Sequence, residues 1–316
     1  MRVNIAMNQF LDEAQQQRRC AVMPTRAVRQ ALLRRVRTGE IVSPMRGLYA
    51  RASYWKSLDT VERNRHVVRA KSRQHPEWVF GGLEAVCMHG LDHDYALHSS
   101  NLTVLSPTHA QAKPVHGITH ICMPNCNYAV IDGVKVLPLA QTVAMGLRSF
   151  DFVNGMQIAN CALRHGLTKQ EIGDCMSRLG NCGASAWRVL EYGSDRCENG
   201  GESRAYGVML DEGVAPPLLQ HNIADGQTGR HARPDFYWVR DDRFVIVGEL
   251  DGNEKYVNAQ MTGGASVEQV VDAERERERL LLRNGVDRIV RFRVRETYDR
   301  AQFIRKLLEA GVPLCK

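Results

Sequence analysis

Residues 202–316 switch between helical and strand-like apolar spacing in an order that few architectures satisfy. A helix pattern runs from Glu202 to Glu212, and strand patterns follow at Leu218–Ile223, Asp235–Val239 and Phe244–Leu250. A charged helix covers Val267–Asn284, a strand Ile289–Val294, and a last helix Tyr298–Ala310. Helices and strands in this order predict an α/β sandwich around a small mixed sheet.

The same segment carries acids at the ends of its predicted strands. Asp235 opens one strand behind Pro234, Glu249 ends the next, and Asp251 follows two positions on. Side chains alternate along a strand, so Glu249 and Asp251 are expected on one face. Acids at adjacent strand ends can jointly hold Mg²⁺, a hard ion that prefers carboxylate and water oxygens. Such an ion polarises a phosphate and generates hydroxide for phosphodiester hydrolysis. Glu202, at the start of the preceding helix, can enter the same cluster. Acids at strand ends are also common as solvated turn residues, and by themselves these leave both readings open.

The series Glu202-Ser203-Arg204, Gln220, Pro234-Asp235, Glu249-Leu-Asp251-Gly252, Lys255-Tyr256, Arg277-Glu278, Leu281, Gly285 and Arg291-Phe292 resembles the very-short-patch-repair endonuclease-like branch of the PD-(D/E)XK superfamily. The resemblance spans about 200–298. It implies a restriction-endonuclease-like fold, Mg²⁺-dependent DNA cleavage, metal ligation by Asp235 and Glu249, and Glu202 as a third acid. Asp251 stands where the usual E-x-K lysine would be, an E-x-D-G variant typical of this branch. The lysine's role of steadying the scissile phosphate then falls to Lys255, to an arginine of the charged helix, or to nothing.

At the other end of the chain, charge is the informative quantity. Residues 1–73 hold 16 basic and 5 acidic side chains, a net of +11. Residues 74–201 are at −3 and residues 202–316 at −1, so the whole excess behind the overall +7 is N-terminal. A basic head on a near-neutral body reads as a nucleic-acid footprint. A first helix pattern covers 3–18, and a second runs from Pro24-Thr25 to Gly39, with Arg26, Arg29, Arg34, Arg35 and Arg37 on its polar face. Strand patterns at Glu40–Ser43 and Gly47–Ala50 flank the turn Pro44-Met45-Arg46. This is the layout of a winged helix-turn-helix, in which the helix enters the major groove while Arg46 and Arg51 touch phosphate. A basic surface helix beside an unrelated hairpin is the other reading.

Helix patterns return at 59–74 and 81–89, strands between 102 and 137, and helices at 139–150, 154–165, 168–179 and 184–192. Asp132-Gly133 between two short strands is a hairpin signal. The Gly-, Asn- and Asp-rich stretch Ser194–Gly201 marks a boundary. The expected organisation is therefore an α+β and α/β multidomain chain. A winged-helix head occupies 1–58, a mixed α/β domain 59–195, and a restriction-endonuclease-like α/β sandwich 196–316.

Residues 1–195 are similar to AbiEi-family antitoxins of type IV toxin–antitoxin pairs. The matching stretches are Arg37-Thr-Gly39-Glu40 and Arg46-Gly47-Leu48-Tyr49-Ala50, then His89-Gly90-Leu91, Asp132-Gly133, Leu137-Pro138 with Thr142, and Ala162-Leu163-Arg164-His165-Gly166. The similarity implies DNA binding, operon repression, a role in phage defence and a nucleotidyltransferase-like toxin as partner. It also supports an alternative to cleavage: an autorepressor or antitoxin whose nuclease fold is only a binding scaffold.

His116, His120, Cys122 and Cys126 lie at zinc-ligand spacing, but their alternation along a strand favours a satisfied β-face over a zinc site. Cys175 and Cys182 read as core. The run Glu274–Arg279 reads as a solvated, salt-bridged helix face, although its Arg277 and Glu278 belong to the nuclease pattern. Gly263-Gly264 lacks the strand-to-helix context of a phosphate loop, and there is no Ser/His/Asp arrangement for a nucleophile. Asp12 and Glu13 interrupt any apolar core of a leader peptide, and no apolar run approaches the ~20 residues of a membrane span. Nine scattered cysteines argue for a reducing cytosol and against a disulfide framework.

Overall fold

The structure, a computed structural model, describes residues 5–22, 26–99, 101–107, 117–124, 126–251 and 267–315. His116, Lys255, Gly263-Gly264 and the side chain of Arg26 lie outside the described residues.

The chain begins with α1 (Ile5–Gln16), β1 (Ala21–Val22), α2 (Arg26–Arg37), β2 (Ile41–Val42) and β3 (Leu48–Arg51). These elements enclose a core of their own, in which Met7, Leu11 and Ala14 of α1 meet Ala21, Leu32, Ile41 and Tyr49. The spacing of the first three residues, i, i+4 and i+7, lines one face of a helix. The middle strand is β3, antiparallel to both β1 and β2.

Next come α3 (Ala52–Ser57), α4 (Thr60–Gln74), β4 (Val79–Phe80), α5 (Gly82–His89), β5 (Leu102–Ser106), β6 (Ile118–Cys122), β7 (Ala129–Ile131), β8 (Val134–Val136) and α6 (Leu139–Ser149). Their five strands form a mixed sheet in the order β6-β5-β4-β8-β7. Asp132 and Gly133 both take positive φ, 51° and 74°, as the two-residue turn between β7 and β8 requires. The two-residue strand β4, absent from the sequence reading, joins β5 and β8 at the middle of the sheet and buries Phe80 completely.

The helices α7 (Phe152–Arg164), α8 (Lys169–Leu179) and α9 (Ala184–Tyr192) follow. They precede α10 (Gly200–Asp211), β9 (Leu218–Leu219), β10 (Ile223–Ala224), β11 (His231–Ala232), β12 (Phe236–Val239) and β13 (Val245–Leu250). The chain closes with α11 (Val267–Arg283), β14 (Arg288–Phe292) and α12 (Arg300–Glu309). It packs as two compact units, 1–149 with 170–183, and 150–169 with 184–316. The mixed helix-and-strand class expected from the spacing holds for both.

In the second unit a four-stranded sheet runs β14-β13-β12-β9, with β13 parallel to β14 and the other pairs antiparallel. The pattern read as one strand from Leu218 to Ile223 is two strands. β9 stops at Leu219, Gln220 takes a φ of 52°, and β10 pairs with β11 instead. A left-handed residue cannot continue a ladder, and that splits the run. α10 is buried along most of its length and passes close to its neighbours at two glycines, tightly at Gly207 and without room for a Cβ at Gly201 unless something shifts. A Cβ on Gly201 would stand 2.7 Å from Val294 Cγ2, and one on Gly207 would stand 3.3 Å from the Val153 backbone of α7.

Candidate active site

Two of the predicted acids meet at the break after β9, and the charge of one of them, Asp235, reaches a third, Glu249. Glu202 is the third residue of α10, where Asn199 caps the helix. Asn199 Oδ1 accepts from the Glu202 backbone N–H at 3.0 Å. In return Glu202 Oε1 accepts from Asn199 Nδ2 at 2.5 Å, and Oε2 accepts from the Glu198 backbone N–H at 2.6 Å. This reciprocal cap fixes the carboxylate in a buried setting.

Gln220 then ties two acids together. Its Nε2 donates to Glu202 Oε2 at 3.1 Å and to Asp235 Oδ1 at 3.0 Å. Asp235, immediately before β12, accepts from the Leu250 backbone N–H at 2.8 Å through its other oxygen. Asp235 is thus anchored to the strand that carries Glu249. Glu249, buried near the end of β13, lies 2.8 Å from Arg277 of α11 and 3.6 Å from Arg291 of β14. The Arg277 contact lacks hydrogen-bond alignment, so Glu249 Oε1 is buried with no hydrogen bond.

Burial dominates the electrostatics. It pushes the Glu202 carboxyl up to about 7, with the nearby charge of Asp235 the second cause. Burial also raises Asp235, against the opposing bond from the Leu250 N–H. The Glu249 carboxyl is raised by burial too, while Arg277 holds it back. Carboxylate oxygens are the right donors for Mg²⁺, and Glu249 Oε1 is a buried acceptor with capacity to spare. Against this, Arg277 and Arg291 already supply positive charge to Glu249. The three acids also do not close to within 4.8 Å of one another, as the tightest ligand-type group among the described residues does.

Asp251 is separate from this cluster. β13 ends at Leu250, and Asp251 is exposed whereas Glu249 is buried, so the shared face expected from alternation does not give shared surroundings. The Asp251 backbone N–H instead extends the sheet by donating to the Phe292 carbonyl at 2.8 Å. The charged run of α11, expected as a solvated face, is engaged on one side. Arg291 meets Glu274 at 2.8 Å and Glu278 at 3.2 Å, and Arg277 also donates to the Arg233 carbonyl at 3.0 Å. Arg275 and Arg279 remain exposed. Sequence reasoning missed Asn199 and Glu198, although an Asn before a helix whose third position is Glu is a capping signal.

Among the predicted DNA-contacting residues, Arg29, Arg34 and Arg37 are exposed on α2, and Arg46 is exposed in the turn between β2 and β3. Arg35 is a correction. It is buried, donates to Met7 Sδ at 3.4 Å and pairs with Glu40 at 3.6 Å, so it holds α2 to α1. Arg51, expected on the wing, is likewise spent on α1 through Asp12 at 2.7 Å. On β6, His120 faces Ser106 Oγ at 3.3 Å and the edge of Trp78, while Cys126 packs against the apolar core. All nine cysteines are free thiols. Two surface clefts, of about 570 and 800 Å³, are lined by none of the predicted site residues except Cys126 in the smaller one.

No family model matches the chain, and no curated protein matches it. Among solved structures, the crystal structure of RV2827C protein from Mycobacterium tuberculosis aligns over 64% of this chain and 78% of its own. The identity is 14% and the TM-score 0.32, a likeness that carries no functional argument.

Proposed function

We propose that the chain binds DNA through its N-terminal head and hydrolyses phosphodiesters with a divalent metal in its second unit. The observation that carries the hydrolytic half is the convergence of Glu202, Asp235 and Glu249 from α10, β12 and β13, with Gln220 bridging the first two. The element order α10-β9-β12-β13-α11-β14, with one parallel pair at the edge, supports the restriction-endonuclease-like reading. Asp235 and Glu249 would hold Mg²⁺, which when bound polarises phosphate and lowers the pKa of water. Glu202, poised at about 7, can accept a proton near neutral pH. Gln220 keeps Glu202 and Asp235 in register, and Asp251 is exposed.

The strand order β1-β3-β2 behind a basic helix supports the winged-helix reading of the head. Exposed Arg29, Arg34 and Arg37 then face the groove, and Arg46 the phosphates. Among the described residues no helix is long and apolar enough to cross a membrane, and the free thiols suit a reducing cytoplasm.

A second reading is favoured by one observation, the Arg277–Glu249 ion pair. A guanidinium that neutralises Glu249 suits a non-catalytic scaffold, as in an autorepressor or antitoxin with a nucleotidyltransferase-like toxin as partner. Plasmid nicking with Mg²⁺ or Mn²⁺ tests the first reading: cleavage by the wild type should disappear in Asp235→Ala and Glu249→Ala. Equal nicking by all three, or none on any DNA, defeats it. The second reading is supported if the wild type nicks no DNA with either ion yet protects the chain's own promoter in footprinting, with that protection lost on Arg29→Ala with Arg34→Ala.

A further inference from the structure

Among the described residues, one group of metal-type side chains closes tightly, and it belongs to the first unit. Cys87, His93 and His98 bring one sulfur and two ring nitrogens within 4.8 Å of one another. Cys87 sits in the last turn of α5 and is fully buried. Gly90 ends that helix with a φ of 73°, and the chain then presents buried His93 and half-buried His98 to it from one short loop. Cys87 Sγ lies 3.7 Å from His93 Nε2, and His93 Nε2 lies 2.9 Å from His98 Nε2. Zinc bonds of about 2.3 Å to sulfur and about 2.0 Å to nitrogen give tetrahedral edges of roughly 3.5 and 3.3 Å, so both contacts are within about half an ångström of a zinc site.

The imidazole of His93 is oriented as a ligand should be. Its Nδ1 lies 2.8 Å from the Leu91 carbonyl, which can only accept, so Nδ1 carries the hydrogen and Nε2 presents its lone pair to the cluster. A backbone carbonyl that fixes the far nitrogen is the usual support of a metal-bound histidine.

We propose that Cys87, His93 and His98 form a zinc site that clasps the end of α5 to the loop leading into β5. One thiolate with two imidazoles is a borderline-soft donor set that suits Zn²⁺ and not Mg²⁺. The fourth position falls to water, with the charge of Asp59, the α4 cap, reaching both Cys87 and His98. Binding releases one proton from the Cys87 thiol to solvent, with no change of oxidation state. This site is independent of the proposed nuclease chemistry.

The experiment is metal analysis of the purified full-length chain, followed by chelator stripping and titration with Co²⁺ and Zn²⁺. The expected result is one zinc per chain, and on Co²⁺ addition a thiolate-to-cobalt charge-transfer band that Cys87→Ser abolishes. His98→Gln, at a half-exposed position that tolerates the change, should weaken zinc binding at least about tenfold, since even outer partners of a ligand cost that much. Cys122→Ser should change nothing. A chain that takes up neither ion with thiolate ligation overturns the proposal, as does a band that survives Cys87→Ser. If Cys87→Ser does not fold, unchanged zinc affinity in His98→Gln overturns it alone.

Discussion

The residue that organises the candidate active site is Gln220, and it does so from an unfavourable backbone position. A side chain in the left-handed region costs roughly 1–2 kcal/mol, and Gln220 stands there with a φ of 52°. Its two hydrogen bonds to Glu202 and Asp235 offset that strain, because bonds to charged acceptors contribute about 1.5–3 kcal/mol each. Two substitutions separate the terms. Gln220→Ala loses the bonds and keeps the strain, whereas Gln220→Gly loses the bonds and relieves it. Urea unfolding should show both variants destabilised, with Gln220→Gly the more stable of the two by about 1 kcal/mol. Identical midpoints would mean that the strain at Gln220 is not there.

At the scale of elements, a buried acid links α5 to the five-stranded sheet. Glu84 accepts from the Thr103 backbone N–H of β5 at 2.8 Å, and burial pushes its carboxyl up to about 7. An acid raised in the folded state binds more protons there than in the unfolded chain. The stabilising contribution of Glu84 is therefore fully present below about pH 4.5, the unfolded value, and is lost as pH rises through about 7. A shift of that size corresponds to about 3 kcal/mol. Glu84→Gln removes the titration, so its unfolding free energy should decline less across that window than the wild type's. Superimposable pH profiles would count against a buried, raised Glu84. The same scale shows what could be read from the chain. Elements with several turns or alternations were visible, among them α4, α6, β13 and the β7–β8 hairpin. The two-residue strands β1 and β4 were not, because a period cannot be expressed in two residues and their place is decided by partners far along the chain, and β9 and β10 were read as a single strand. Of the candidate site, the acids at element ends were legible. The bridge through Gln220 and the pairing of Arg277 with Glu249 depend on a backbone break and on which face α11 turns inward. Cys87 and His93 escaped notice because the turn at Gly90, which folds one over the other, has no ligand spacing of its own.

For the whole molecule, the N-terminal excess of +11 overstates the charge on offer to a partner. Arg18, Arg19, Arg35, Arg51, Arg65 and Arg69 are all engaged with Asp or Glu side chains. Arg29, Arg34, Arg37 and Arg46 are exposed, and none forms an ion pair among the described residues. A DNA-binding head would thus draw its phosphate contacts from α2 and the β2–β3 turn, not from the basic residues at large. Each phosphate neutralised adds about 0.9 to the slope of log affinity against log salt. The triple variant Arg29→Ala, Arg34→Ala and Arg37→Ala should therefore lower that slope by about three, measured by fluorescence anisotropy on duplex DNA across a potassium chloride series. Arg35→Ala should leave the slope unchanged and instead lower the melting temperature, because it removes the link between α2 and α1. A slope that falls with Arg35→Ala and not with the triple variant would place the binding surface elsewhere on the head.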